Sequence, residues 1–195
     1  MHLKGSPEDL ASRAHIEAEF PNIAGNYDIT SEETSDYNCI SWAADESEKW
    51  RCWWPSGEDP EVPCQHYIHT KLVYWPKGAP QTETIEGFMA AFATKGWKKC
   101  KNARFKRGYE KLVIYVDPAT KEPTHAAREL FEGEKSTHQW TSKLGDLSDV
   151  RHATLESIYC KEYGIAYAYM QRPRNRAKAG FWRKLLLELF RLKNN

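Results

Sequence analysis

The spacing of apolar residues changes once along this chain, and that change constrains the fold more than any other feature. Over residues 84–95, Ile85, Phe88, Met89 and Phe92 follow the i, i+3, i+4, i+7 rule of an amphipathic helix, and Gly96 supplies its stop. Beyond Gly96 the pattern is strand-like. Residues 97–100 and 111–116 (KLVIYV) each predict a strand, and 124–130 with 139–144 flank a polar, Gly-containing turn as a hairpin. Residues 165–171 (IAYAYMQ) predict a last strand, whereas 149–159 read as a helix. Upstream, residues 1–20 carry Leu10, Ala14, Ile16 and Phe20 among charges as a short helix, broken by Pro21, Asn22, Gly25 and Asn26. Ser35 and Asp36 are placed to cap a further helix bearing Cys39, Ile40, Trp42 and Ala43. Helices first and antiparallel strands later predict an α+β domain.

A length of 195 residues fits one domain with an appended tail, divided here as 1–172 and 173–195. The tail is a basic linker followed by FWRKLLLELFRLKNN, a strongly amphipathic helix. It suits docking on its own domain, binding of a partner protein or self-association, with a membrane surface as a minor option. The net charge of +1 gives no global attraction to nucleic acid or an anionic membrane. There is no apolar leader and no run of about 18 apolar residues, so neither a signal peptide nor a transmembrane helix is expected. Five cysteines, an odd number without a leader, fit reduced thiols in the cytoplasm.

Two clusters attract a functional reading and are better explained otherwise. Cys52, Cys64, His66 and His69 fall in an irregular loop, but their spacing matches no familiar zinc pattern, so no metal or other cofactor is expected. The same loop region holds two aromatic-Pro marks, Trp53-Trp54-Pro55 and Tyr74-Trp75-Pro76. The basic run from Lys98 to Arg107, interleaved with Trp97, Phe105 and Tyr109, resembles a single-strand nucleic-acid surface but reads as a solvated connection between strands.

Cys39 is the candidate nucleophile. At the start of a helix, unpaired N–H groups and the helix dipole favour a thiolate and can hold an oxyanion. Free cysteines are also among the most buried residues, so alone Cys39 reads as structural. His125, opening the strand THAAREL, changes the balance. A helix-start Cys followed much later by a strand-start His sets a nucleophile and a general base on facing elements.

That order resembles the papain-like superfamily, and is similar in size to its NlpC-type and CHAP-type amidase branches. The segments YNCISWA, YWP, THAAR, WTSKLG and YGIAYAYM together look like an uncharacterised bacterial domain family of unknown function, over about residues 20–172. The papain-like resemblance implies N-terminal helices packed on an antiparallel sheet and a cysteine hydrolase or acyltransferase acting on a peptide, amide or ester. It implies that Cys39 attacks the carbonyl, that His125 shuttles the proton, and that the following strand orients the imidazole through Gln139 or Ser142, with Asp149 or His152 as alternatives. Tyr27 or Tyr37 would assist the oxyanion, with Asn38 and Trp42 beside the nucleophile. Where NlpC-type enzymes carry Asp-Cys-Ser-Gly, this chain carries Asn38-Cys39-Ile40-Ser41. The alternative is a non-catalytic papain-like interaction domain. Catalysis requires an exposed, acidic Cys39; the alternative permits a buried, inert one.

Overall fold

The protein is seen in a computed structural model that describes residues 6–47, 52–55, 73–133 and 135–174. The expected C-terminal helix, together with Cys64, His66 and His69, lies outside those residues.

Helix α1 (Pro7–Glu19) starts where the Ser6 hydroxyl accepts from the Asp9 N–H, and acidic Glu8 and Asp9 suit the positive end of its dipole. It stops at Phe20, before Pro21. Strand β1 (Tyr27–Ile29) follows, then the short α2 (Cys39–Ala43). The expected caps of α2, Ser35 and Asp36, lie too early. Asn38 is the cap, in a reciprocal box with Ser41, because its amide oxygen reaches the Ser41 N–H at 3.0 Å. The two aromatic-Pro marks prove to be partners: β2 (Cys52–Trp53) and β3 (Val73–Tyr74) pair in parallel as a separate two-stranded sheet. Helix α3 (Ile85–Ala93) is capped by Thr84, whose hydroxyl accepts from the Gly87 N–H.

The strands β4 (Lys98–Cys100), β5 (Tyr109–Val116), β6 (Pro123–Glu132), β7 (Lys135–Lys143), β8 (Asp149–His152) and β9 (Ile165–Pro173) join β1 in one antiparallel sheet of order β1-β8-β7-β6-β5-β9-β4. The helix expected over 149–159 is instead β8 plus a single 3-10 turn, Leu155–Ile158. Pairing with β7, from Lys143↔Asp149 to Trp140↔His152, overrides the local helical reading. The result is a mixed α+β architecture, as the change of period predicts.

Two cores sandwich the sheet. On one face α2 and α3 bring Ile40, Ala43, Phe88 and Phe92 onto Leu112, Ile114, Ala126, Ala168 and Met170. On the other, α1 and the 3-10 turn bring Ile16, Phe20 and Ile158 onto Val113, Tyr115, Ala127, Trp140 and Val150. Strand β5 is buried on both faces from Leu112 to Val116, which explains why KLVIYV is a continuous apolar run rather than an alternating one.

Gly164, before β9, has φ +68°, and a Cβ there would collide with the Val116 carbonyl in the backbone of β5. Gly164→Ala therefore combines left-handed strain with a clash against fixed backbone. Urea denaturation should show a loss of about 2–4 kcal/mol, and a change below about 0.5 kcal/mol would contradict this packing.

Candidate functional site

The nucleophile candidate is seated by Asn38. Besides capping α2, the Asn38 amide oxygen accepts from the Trp53 N–H at 3.1 Å, and its amide nitrogen donates to the Trp53 carbonyl at 2.9 Å. Asn38 thus ties α2 to β2, its amide oxygen shared between Ser41 and Trp53 and one amide N–H spent on the Trp53 carbonyl. Cys39 packs against the Ala126 backbone of β6, 8% exposed, among the apolar residues of the α2–α3 core. Burial pushes its thiol up to about 11, against smaller opposing effects from the Ala126 backbone and Lys143. A helix of 5 residues offers too small a dipole to reverse that.

His125 is one residue from Ala126 and on the other side of the sheet. Side chains alternate along a strand, and the register pairs Ile114 with Ala126 and Tyr115 with His125. Ile114 and Ala126 face the α2–α3 core, whereas Tyr115 faces the α1 core. The His125 ring is wholly buried there, stacked on Tyr163 at 4.0 Å and edge-on to Tyr115, with neither nitrogen hydrogen-bonded. Burial holds its pKa well below the usual histidine value, with a further contribution from His152. A sheet of backbone separates the expected base from the expected nucleophile, so the structure does not assemble the Cys39–His125 pair.

The supporting residues divide in the same way. Ser142 and His152 do join His125 on the α1 face. His152 Nδ1 lies 2.7 Å from the Thr154 carbonyl, which only accepts, so Nδ1 carries the proton and Nε2 accepts from Ser142 Oγ at 3.0 Å. This is a hydroxyl–imidazole pair in the geometry of a nucleophile and base, but both residues are 0% exposed and no carbonyl substrate reaches them. Gln139 is no orienter: the Trp140↔Glu129 pairing leaves it at least four residues along the strands from His125, on the order of 13 Å. Tyr27 belongs to the α1 core, its hydroxyl on the Arg13 carbonyl at 3.4 Å, and so lies across the sheet from Cys39. Tyr37 and Trp42 stay beside Cys39, stacked on each other at 5.7 Å. The Tyr37 hydroxyl is committed to Asp149 at 2.7 Å, and Arg128 covers the Trp42 ring at 4.8 Å while pairing with Asp45.

The feature missed from sequence is a groove of about 400 Å³ between α1, the 28–33 segment and β8. Asp9, Asp28, Glu32 and Glu33 line it against Arg13 and Arg151, four carboxylates to two guanidiniums. Arg13 pairs with Asp9 and Arg151 with Asp28. β1 is the edge strand, and its main chain forms one wall. The Thr30 N–H donates inward to the Asp149 carbonyl, so by antiparallel alternation the Ile29 N–H and C=O point outward from β8. The acidic pair Glu32-Glu33 was the only sequence signal, and it reads as ordinary loop.

Among the described residues no group of three or more His, Cys, Asp or Glu is arranged to hold a metal, and no helix is long and apolar enough to cross a membrane. Residues 28–171 match the family described as Domain of unknown function (DUF7689), and the chain belongs to that family. No curated protein and no solved structure matches the chain significantly.

Cys39 should alkylate with iodoacetamide at pH 8 on the order of a hundredfold more slowly than an exposed cysteine, with the same rate in His125→Ala. Residue-resolved mass spectrometry reads both; fast labelling that falls in the variant would restore the catalytic pair. A second outcome concerns acid stability. Burial lowers His152 to about 4 in the fold, so between pH 6.5 and 4 the unfolded chain binds a proton that the folded chain does not. Stability present above pH 6.5 is therefore lost as the pH falls, by about 3 kcal/mol at pH 4 for His152, and His125 adds in the same direction. Urea midpoints at several pH values, wild type against His152→Leu, check this; parallel curves would show that the imidazole is charged in the fold.

Proposed function

We propose that this domain is a non-catalytic recognition module that takes an extended, cationic segment of a partner protein along the outer edge of β1. The order of a Cys-bearing helix followed by antiparallel strands is read as papain-like descent without the chemistry. The observation that carries the proposal is the coincidence of two independent features in one place: an open strand edge and a carboxylate-rich groove beside it. A strand edge offers main-chain hydrogen bonds to any extended peptide, giving affinity without sequence preference. With Asp9 and Asp28 paired to Arg13 and Arg151, the carboxylates of Glu32 and Glu33 then select for Lys and Arg. The reading against catalysis rests on Cys39, which is buried with a raised thiol and has no imidazole on its side of the sheet among the described residues.

The test is fluorescence anisotropy with a fluorescein-labelled peptide of alternating Lys and Val, against an alternating Glu and Val control. The cationic peptide should bind, the acidic one should not, and the double variant Glu32→Gln/Glu33→Gln should weaken binding about tenfold, the value of two partly exposed ion pairs. Affinity that ignores the double variant, or equal binding of both peptides, would sink the proposal.

A further inference from the structure

The two outer strands of the sheet carry opposite charge. β1 stands at one end of the strand order and β4 at the other. Beside β1 the exposed carboxylates are Glu32 and Glu33, both on the wall of the groove. On β4 and just past it, Lys98, Lys99 and Lys101 are exposed. Lys99 and Lys101 are two residues apart, the spacing that sends side chains of an extended segment to one side. Among the described residues, none of these three ammonium groups enters an ion pair. Arg104 and Arg107, also exposed, continue the basic run into the loop that follows.

Charge decides which edges can meet. A strand edge presents main-chain N–H and C=O groups to any other edge, so two copies of this sheet could join in three ways. β1 on β1 sets Glu32 and Glu33 against their own copies, and β4 on β4 does the same with the lysines. Like charges facing each other across paired strands repel. β4 on β1 instead brings lysines to carboxylates, and the Ile29 N–H and C=O already point away from β8 toward such a strand. The two edges match in length, 3 residues each, and the groove of about 400 Å³ gives the lysine side chains room.

We propose that the cationic segment taken by β1 is β4 of a second copy of this chain, with Lys99 and Lys101 reaching the carboxylates of Glu32 and Glu33. The proposal rests on recognition at β1 as set out above and names its partner. The contact is heterologous: each pair keeps an unused β4 at one end and an unused β1 at the other. Copies therefore add head to tail instead of closing as a symmetric dimer. Such short strands form few main-chain bonds, so the association is weak, setting in at on the order of 100 µM protein, and sensitive to salt.

The test is sedimentation velocity of the full chain from about 10 µM to about 1 mM, in roughly 50 mM and roughly 500 mM NaCl. At low salt the mean mass should rise past that of a dimer, and at high salt it should fall back toward the monomer. Glu32→Gln/Glu33→Gln and Lys99→Gln/Lys101→Gln should each associate about tenfold more weakly alone. Mixed in equal amounts they should recover the wild-type strength but stop at a dimer, because the mixture holds one intact edge of each kind per pair. A wild type that stays monomeric at the highest concentration overturns the inference. Binding of the Lys–Val peptide by that monomer leaves recognition at β1 standing, whereas no binding removes both. Growth that stops at a wild-type dimer also overturns it. So does association that ignores Lys99→Gln/Lys101→Gln but is lost in Arg176→Gln/Lys178→Gln, which would assign the edge to the C-terminal basic segment.

Discussion

Alternation of side chains along buried strands governs this molecule. β5 and β6 lie inside a seven-stranded sheet with a core on each face, so every residue along them is assigned to one core or the other by parity alone. Ala126 goes to the α2–α3 side and His125 to the α1 side. A one-residue step therefore moves an imidazole across the full thickness of the sheet, which no rotamer can undo. The separation of Cys39 from His125 follows from that, as do the stacking of His125 on Tyr163 and its lack of hydrogen bonds.

Polar groups in the interior show how the two cores are joined to their loops. Asn38 satisfies α2 and β2 at once, through bonds to Ser41 and to both backbone groups of Trp53. Lys143, fully buried at the end of β7, donates to the carbonyls of Gly145 and Leu147 and so closes the turn into β8. Ser142, His152 and Thr154 form a chain of bonds that fixes the exit from β8. In each case a side chain with catalytic potential is consumed by backbone groups that would otherwise be buried without partners, a larger cost than the side chain itself incurs. At one edge of the sheet, beside β1, carboxylates instead line a groove at the surface.

Much of the fold was legible in the residues. The helix over 84–95, its Thr84 and Gly96 boundaries, the strands around KLVIYV and IAYAYMQ, and the hairpin joined near Gly133 all follow from local period and turn chemistry. Strand β8 was not legible, because four residues, DVRH, carry too little pattern and gain their conformation from β7. β1, only three residues long, was invisible for the same reason. The candidate site fared worse. Tyr37, Trp42 and Cys39 lie near one another because they are close in sequence, whereas the position of His125 depends on which way a strand residue points.

From the sequence alone came the class of the protein: an apolar period that switches at Gly96 admits helices followed by an antiparallel sheet, and little else. Tertiary structure decided the site. Periodicity shows that a strand alternates but does not say which parity faces which helix, since β5 and β6 are apolar on both sides. Only the packing of α1 on one face and of α2 with α3 on the other settles it, and that same packing leaves β1 and β4 as the edges of the sheet.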